Sequence, residues 1–359
     1  MPHLKTFEKS REKSCSVMAE RNKIPLFKHL QNDGIVFMPL NENQEKALSN
    51  LNTKLQTGEY QTTPLPCLCG SNDDILIASK DRYGLSLDTS LCMNCGLMRS
   101  DPYLDEKTLS LFYRDDYRDI YIPAIVEKRR EVNLIFRDEY IAGQSIKNFI
   151  GDMSHCKTIF EIGCGAGGTL AFFNSLGMTT VGCDYGRAYV EFGLEQGLDI
   201  RLGGISQLLE LQKGGIRADI VILHHVLEHF RDPVAEINKI AALLSEKGHL
   251  FIALPGIFSM RKYYGSLLPF LQNAHVWHFC LKSLDFLMEA CGFRQRIGSE
   301  LIYALYYKIQ EDDLKKDWRP RHNVGNDILK YLTNIEKIRW LPTARYLIRK
   351  LLPQRTMDV

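Results

Sequence analysis

The stretch TIFEIGCGAGGTL, residues 158 to 170, decides the fold of this chain. It begins with the apolar residues Ile159, Phe160 and Ile162, which predict a short buried strand, and apolar residues at helical spacing follow from Leu170. Between them lie four glycines, Gly163, Gly165, Gly167 and Gly168. A ligand can approach such a turn closely because no side chain covers its backbone. The stretch therefore predicts a strand, a ligand-binding turn and a helix.

The spacing of these glycines fits two classes of ligand. Gly163, Gly165 and Gly168 match the G-x-G-x-x-G pattern of dinucleotide-binding turns. Glu161, directly before the turn, favours the second class, because its carboxylate would repel a pyrophosphate and attract the ammonium and sulfonium groups of S-adenosylmethionine. At ~4 Å and an effective dielectric near 20 this difference is a few kcal/mol. Asp184, at the end of the next predicted strand, suits a ribose in either class, with a helix cap as the alternative.

Residues 151 to 310 alternate between strand and helix patterns. This alternation predicts an α/β fold with a Rossmann-like, doubly wound sheet. Further strands are predicted at residues 179–184, 200–204, 218–223, 248–255 and 300–310. The last is expected to be antiparallel to its partner, because only a short turn precedes it.

Several histidines follow the predicted strand 218–223, in the segment HHVLEHFRDP. His224, His225, Glu228 and His229 lie there, at the sheet edge where open α/β sheets bind their ligands. His225, Glu228 and His229 also match the H-x-x-E-H pattern of zinc peptidases. That pattern requires a helix, whereas these residues directly follow a buried strand, so the peptidase interpretation is disfavoured.

Two close pairs of cysteines precede this region. Cys67 and Cys69 form the first pair and Cys92 and Cys95 the second, and a glycine follows each pair. Four thiolates on two such turns are typical of a zinc ribbon with a closed structural site. The first pair is C-x-C rather than C-x-x-C, so a zinc ribbon and a degenerate, metal-free ribbon both remain open, with four buried free cysteines as the simplest alternative.

The remaining segments carry no complete chemical motif. We divide the chain into an N-terminal, partly helical extension (1–60), the ribbon-like module (61–104), a helical connector (105–150), the α/β domain (151–310) and a basic helical tail (311–359). Tyr113, Tyr117 and Tyr121 lie four residues apart in the connector, either as a core-facing stripe or as a lid over cofactor or substrate. The tail is interpreted as a helix docked on its own domain, with peripheral membrane contact as the alternative.

Composition limits the partners and the compartment. The 359 residues carry a net charge of +2, so we expect no binding to nucleic acid through bulk charge. No apolar run is long enough for a membrane span and the charged N-terminus lacks the pattern of a signal peptide, which predicts a cytoplasmic protein. Ten cysteines are then expected as thiols or metal ligands rather than disulfides.

Five segments, in order, resemble those of class I S-adenosylmethionine-dependent methyltransferases, of the branch typed by ubiquinone-biosynthesis and related small-molecule enzymes. They are EIGCGAGG (161–168), CDYG (183–186), HHVLEHFRDP (224–233), GHLFIALPG (248–256) and residues 275–293. The cysteine ribbon followed by an FY..DYR..Y segment is similar to sugar methyltransferases and to methyltransferases of surface-polysaccharide clusters. The C-x-C pair departs from that pattern.

The resemblance implies roles for individual residues. Glu161 and the turn hold the methionyl part of the donor, Asp184 its ribose and Tyr185 its adenine, and His224 or His225 lies near the methyl group. The donor-binding residues are then Glu161, Gly163, Cys164, Gly165, Gly167, Asp184, Tyr185 and His224.

The leading hypothesis is methyl transfer to a small-molecule acceptor, a sugar nucleotide or a glycan. A histidine is the natural base for a sugar hydroxyl; we rank His225 first, His278 second and His229 third, each with a structural role as the alternative. Methylation of a lipid quinone or another small molecule is the second hypothesis. A non-catalytic ribbon module with an inert α/β domain is the third, against which Glu161 and Asp184 argue.

Overall fold

The described part of the chain, residues 24–121, 128–309 and 324–338 of a computed structural model, forms three sheets with helices around them. The first long helix, α1 (Glu42–Gln56), starts at Asn41, whose side chain accepts a hydrogen bond from the backbone of Gln44 at 2.9 Å. Its apolar face is buried through Ala47, Leu48 and Leu51. The N-terminal extension thus contains a helix with a side-chain cap.

The cysteine-containing module contains strands of two small antiparallel sheets. Its strands are β1 (Thr62–Thr63), β2 (Asp74–Lys80), β3 (Ser86–Cys92), β4 (Met98–Ser100) and β5 (Tyr103–Leu104). Strands β2, β3 and β4 are neighbours in sequence order, and β1 pairs separately with β5. The first cysteine pair lies on the turn before β2; of the second pair, Cys92 ends β3 and Cys95 lies on the turn between β3 and β4.

The connector is helical in its described residues. It contains α2 (Glu106–Asp115), α3 (Tyr117–Tyr121) and α4 (Lys128–Ile150). Asp105 caps α2 by accepting a hydrogen bond from Thr108 N at 2.7 Å. Helix α4 packs on the helix that follows the glycine turn, because Gly168 leaves no side chain between that turn and the backbone of Phe136 and Tyr140.

The α/β domain is built on a seven-stranded sheet, which confirms the predicted fold class. In chain order its elements are β6 (Thr158–Ile162), α5 (Gly168–Ser175), β7 (Thr179–Asp184), α6 (Arg187–Glu195), β8 (Asp199–Leu202), α7 (Ser206–Lys213), β9 (Ala218–His224), α8 (Pro233–Leu243), β10 (Leu244–Ala253), α9 (Met260–Tyr263), α10 (Leu267–Phe270), β11 (Trp277–His278), α11 (Leu281–Ala290), β12 (Phe293–Gly298), β13 (Tyr303–Lys308) and α12 (Val324–Lys337). The sheet order is β12-β13-β10-β9-β6-β7-β8.

Only one strand of this sheet runs against its neighbours. The strand β13 is antiparallel to both β10 and β12, and the other pairs are parallel. The antiparallel final strand was expected, but its partner β12 was not, because FRQRIG alternates too weakly to be recognised as a strand and its last residues are exposed.

The strand β11 does not join the large sheet. It pairs with β4, with Trp277 opposite Arg99 and His278 opposite Met98, and so becomes the fourth strand of the cysteine module. The backbone N–H of Ser100 continues this contact by donating to Val276 O at 3.0 Å. The module that we expected as a separate unit, 61–104, therefore shares its sheet with the α/β domain.

The last described helix, α12, packs on the turn between Cys92 and Gly96. A side chain at Gly325 would collide with the Met93 carbonyl, and one at Gly96 would collide with Val324. The basic residues of the predicted tail beyond 338, and with them the membrane alternative, lie outside the described residues. Among the helices of the described ranges, none has the length and apolar character needed to span a bilayer.

Candidate active site

The predicted strand, glycine turn and helix are present as β6, residues 163–167 and α5. Gly163, Gly165 and Gly167 have φ of 70°, 55° and 87°, a region that side chains other than glycine rarely adopt. A Cβ atom on Gly163 would lie 2.5 Å from the Val226 side chain. The glycines are required both by backbone conformation and by the close approach of the segment after β9.

Three carboxylates surround this turn. Glu161 is 2% exposed, and its Oε2 atom has no hydrogen-bond partner among the described residues. Asp184 accepts from Gly165 N at 3.1 Å and from Gly186 N at 2.6 Å. The third, Glu139 of α4, accepts from Ala166 N at 3.2 Å and from Gly168 N at 2.9 Å. In their ionised forms these three carboxylates would favour a positively charged ligand at the turn.

Burial determines the protonation of these carboxylates. It raises the pKa of Glu161 well above its ordinary value, with the charge of Glu139 acting in the same direction. Burial also raises the pKa of Asp184, although hydrogen bonds from Gly186 and Gly165 oppose it. The pKa of Glu139 rises to about 8 for the same reason. A positively charged ligand would stabilise the ionised carboxylates and so lower these raised pKa values.

One cation reaches the turn from the connector. Arg118 of α3 lies with Nη2 3.8 Å from Asp184 Oδ1, and its guanidinium lies 4.5 Å from the centre of the Tyr189 ring. Tyr185, the predicted adenine contact, is 74% exposed beside the same strand end. Helix α3 therefore reaches the donor side of the sheet edge.

The histidines after β9 lie at the same sheet edge as the glycine turn. His225 has a φ of 56°, is 54% exposed, and donates its backbone N–H to Ala253 O at 2.8 Å. Its Nδ1 atom lies 3.4 Å from Oε1 of Glu228, which is 1% exposed. Burial lowers the pKa of the neighbouring His224 to about 3, so His224 stays neutral at physiological pH. Residues Leu227–His229 form only a single 3₁₀ turn, which does not fit the helical peptidase motif.

Two further histidines come from the segment before α11. His275 Nε2 lies 3.8 Å from Glu228 Oε1. His278 is 2% exposed on β11, its Nε2 has no hydrogen-bond partner among the described residues, and burial lowers its pKa to about 4. Of the three candidate bases, His225 is thus the exposed one.

The tyrosine row of the connector lies against this histidine cluster. Successive rings of Tyr113, Tyr117 and Tyr121 are 5.0 and 5.1 Å apart. The Tyr113 hydroxyl lies 2.8 Å from Nδ1 of His229, and Tyr121 accepts a hydrogen bond from Ala274 N at 3.2 Å. The row is half-buried, and its Tyr113 and Tyr117 rings contact the His229 ring, so the tyrosines pack against the segment after β9.

The four predicted metal ligands come together. Their sulfur atoms lie within 4.8 Å of one another, with Cys67 to Cys95 at 3.4 Å and Cys69 to Cys92 at 3.6 Å. Cys67, Cys92 and Cys95 are buried, and Cys69 is partly exposed. The C-x-C spacing of the first pair therefore does not keep its thiols from meeting the second pair.

Comparison with known proteins identifies the α/β part of the chain. Residues 136–296 match a family model described as a methyltransferase domain. This part of the chain is a class I S-adenosylmethionine-dependent methyltransferase domain. The protein is accordingly a methyltransferase that uses S-adenosylmethionine. Among curated proteins, none matches the sequence.

Several solved methyltransferases are similar to this methyltransferase in part of its chain. The 1,6-didemethyltoxoflavin-N1-methyltransferase of Burkholderia thailandensis has a TM-score of 0.43 at 14% identity, covering 60% of this chain and 96% of that chain. Magnesium protoporphyrin IX methyltransferase of Synechocystis PCC 6803 has a TM-score of 0.39 at 14% identity, covering 57% and 100%. The plantazolicin methyltransferase BpumL has a TM-score of 0.38 at 13% identity, covering 57% and 92%.

Sequence reasoning missed Glu139, and its contact with the turn gives a pH-dependent prediction. Because its pKa is raised to about 8 from 4.5, the folded protein without donor binds the extra proton between these values. The free energy of unfolding therefore falls as pH rises through this window, by on the order of a few kcal/mol. Glu139→Gln removes this loss, so we expect the Tm of the variant relative to wild type to increase from pH 5 to pH 8.5.

The control is Asp138→Asn, since Asp138 is the exposed neighbour on the same helix. Its Tm relative to wild type should not vary with pH. A Glu139→Gln difference that is equally independent of pH would show that this carboxylate is ionised throughout.

Proposed function

We propose that this methyltransferase acts on a small hydroxylated acceptor of the sugar class, a sugar nucleotide or a cell-surface glycan. The observation that carries the proposal is the tyrosine row, which lies against His229 after β9, while Arg118 of the same segment reaches Asp184 beside the glycine turn. Tyrosine presents an apolar ring together with a hydroxyl. A sugar ring, with apolar faces and polar edges, is complementary to such a surface.

The residues around the turn fit the donor. S-adenosylmethionine carries an ammonium and a sulfonium group and supplies an electrophilic methyl group. Glu161 offers a buried carboxylate oxygen without a hydrogen-bond partner among the described residues, and each Asp184 oxygen retains a lone pair for a ribose hydroxyl. The proposed donor contacts are Glu161, Gly163, Cys164, Gly165, Gly167, Asp184, Tyr185 and His224.

His225 is the proposed base. When an acceptor oxygen bonds to the methyl carbon and the carbon–sulfur bond breaks, the hydroxyl proton passes to Nε2 of His225. Its Nδ1 faces the Glu228 carboxylate at 3.4 Å, an arrangement that stabilises the resulting imidazolium. Alignment of the reacting atoms contributes up to ~7 to 11 kcal/mol and a positioned base ~10² to 10⁴ in rate.

We further propose that Cys67, Cys69, Cys92 and Cys95 hold one structural zinc ion. Four thiolates about 2.3 Å from a tetrahedral zinc lie roughly 3.8 Å apart, close to the 3.4 and 3.6 Å separations of these sulfurs. Glycines with positive φ, Gly70 and Gly96, close the two turns. This donor set suits zinc in a closed site.

A transfer assay tests the acceptor class. Full-length protein is incubated with methyl-labelled S-adenosylmethionine and panels of sugar nucleotides, oligosaccharides and phenolic quinone precursors. We expect labelled product from the sugar panel, identified by mass spectrometry. Transfer to phenols alone would contradict the sugar class and support the quinone-type alternative.

Asp184→Asn tests the donor site, and this substitution keeps the side-chain volume. Because hydrogen bonds to a charged group contribute ~1.5 to 3 kcal/mol, this variant should bind the donor at least tenfold more weakly. Unchanged donor affinity would remove Asp184 from the ribose site.

A further inference from the structure

The carboxylate of Glu228 is buried without a hydrogen bond. Glu228 is 1% exposed in the 3₁₀ turn after β9, and neither carboxylate oxygen has a hydrogen-bond partner among the described residues. Its backbone oxygen, in contrast, accepts from Val276 N at 2.9 Å, which fixes the turn against the segment before β11. A buried carboxylate in this state is costly unless a cation compensates it.

The groups around this carboxylate are imidazoles. Ring nitrogens of His229 and His275 and a Glu228 oxygen lie within 4.8 Å of one another, and His225 Nδ1 lies 3.4 Å from Oε1. One carboxylate and two imidazoles are a ligand set of catalytic zinc and of non-haem iron(II). Such ligands around a tetrahedral zinc are roughly 3.4 Å apart, and His275 Nε2 to Glu228 Oε1 is 3.8 Å.

The orientation of His229 also suits a metal ligand. Its Nδ1 lies 2.9 Å from the carbonyl oxygen of Ala274, which can only accept, and 2.8 Å from the Tyr113 hydroxyl; a ring proton on Nδ1 satisfies the carbonyl and leaves the lone pair on Nε2. Metal-bound histidines usually donate their other N–H to such a carbonyl. At His275, the amide nitrogen of Gln272 contacts Nε2 and is the group that an ion would displace.

We propose that Glu228, His229 and His275 bind a divalent transition-metal ion, zinc or iron(II), through one carboxylate oxygen and two imidazole nitrogens. This site uses none of the cysteines. Three protein ligands leave a coordination position open, and the rings of Tyr113 and Tyr117 lie 6.0 and 6.2 Å from the His229 ring. If the proposed function holds, an acceptor hydroxyl beside these tyrosines can take that position and lose its proton more easily.

Cobalt(II) titration of the full-length protein tests the site without donor or acceptor. Cobalt at nitrogen and oxygen ligands gives visible absorption bands without the near-ultraviolet thiolate charge transfer that cobalt at the cysteines gives. We expect wild type to bind one such ion, and Glu228→Gln, which keeps the size of the side chain, to weaken it by ~100-fold or more, since even outer-shell changes cost 10- to 100-fold.

Glu336→Gln is the matched control, because Glu336 is also a buried glutamate and lies 2.8 Å from a histidine, His29. It should bind cobalt as wild type does. His275→Gln is a second test variant, expected to lose the ion as Glu228→Gln does. Equal cobalt affinity in wild type and both test variants, or cobalt absorption of the thiolate type alone, would overturn the proposal and leave an imidazolium as the partner of Glu228. The transfer assay is a separate experiment, so failure of the metal site can be distinguished from failure of the proposed function.

Discussion

Replacing His225 by asparagine should lower kcat by ~10² to 10⁴, the contribution typical of a positioned base, while the Kd for S-adenosylmethionine changes less than twofold. Turnover is lost because the asparagine amide cannot take up the proton of the substrate hydroxyl group. Asparagine is preferred to alanine, because His225 has a φ of 56° and asparagine tolerates this left-handed region. The measurements are steady-state turnover and calorimetric titration with the donor.

Two controls separate the loss of the base from other effects. His155→Asn removes an exposed histidine remote in sequence from the sheet edge and should retain wild-type turnover. His225→Gly accepts the same backbone conformation and should be as slow as His225→Asn. If His225→Asn turns over at the wild-type rate, His225 is not the base, and His278, the second-ranked histidine, becomes the next candidate.

The parts of the site that follow local patterns were predictable. The glycine turn, Glu161 and Asp184 lie on consecutive strand ends, and parallel strands bring their carboxyl ends to one edge whatever the details of packing. The helix α8 also begins at local signals, since the Asp232 side chain caps it and Pro233 is its first residue. The spacing of apolar residues, together with the turn and helix-start residues, therefore locates the donor side of the site.

The remaining parts of the site depend on contacts between distant residues. Glu139 reaches the turn from α4, and nothing in the pattern of that helix distinguishes it from exposed acids such as Asp138. The pairing of β4 with β11 joins segments almost 180 residues apart, and β11 is only two residues long. Neither feature has a local signature, because each arises from packing of elements whose relative positions the sequence pattern does not determine.

This pairing makes the cysteine module part of the acceptor side. Strand β4 leaves the turn that carries Cys92 and Cys95, and Ser100 at its end contacts the backbone of Val276 and His275. Val276 in turn donates to the backbone oxygen of Glu228. The cysteine turns and the histidine cluster are thus linked by consecutive hydrogen bonds, whereas the glycine turn lies in the separate, seven-stranded sheet.

The double variant Cys92→Ser, Cys95→Ser should therefore lose turnover while retaining donor binding. A structural zinc contributes ~10 kcal/mol or more to the folding of its module, so β3, β4 and their contacts to the histidine segment should be lost with it. We expect the variant to contain one zinc equivalent fewer per chain than wild type and to be cleaved by protease within residues 61–104. Its affinity for S-adenosylmethionine should stay within about fivefold of wild type, because a substitution that removes no contact to the donor site changes a free energy by less than about 1 kcal/mol. Elemental analysis, limited proteolysis and calorimetry measure these three properties.

Cys156→Ser, at a buried cysteine outside the cluster, is the control and should retain the zinc. A double variant with unchanged zinc content would refute the metal site, and one that loses zinc but keeps full turnover would show that the histidine segment holds its position without the module.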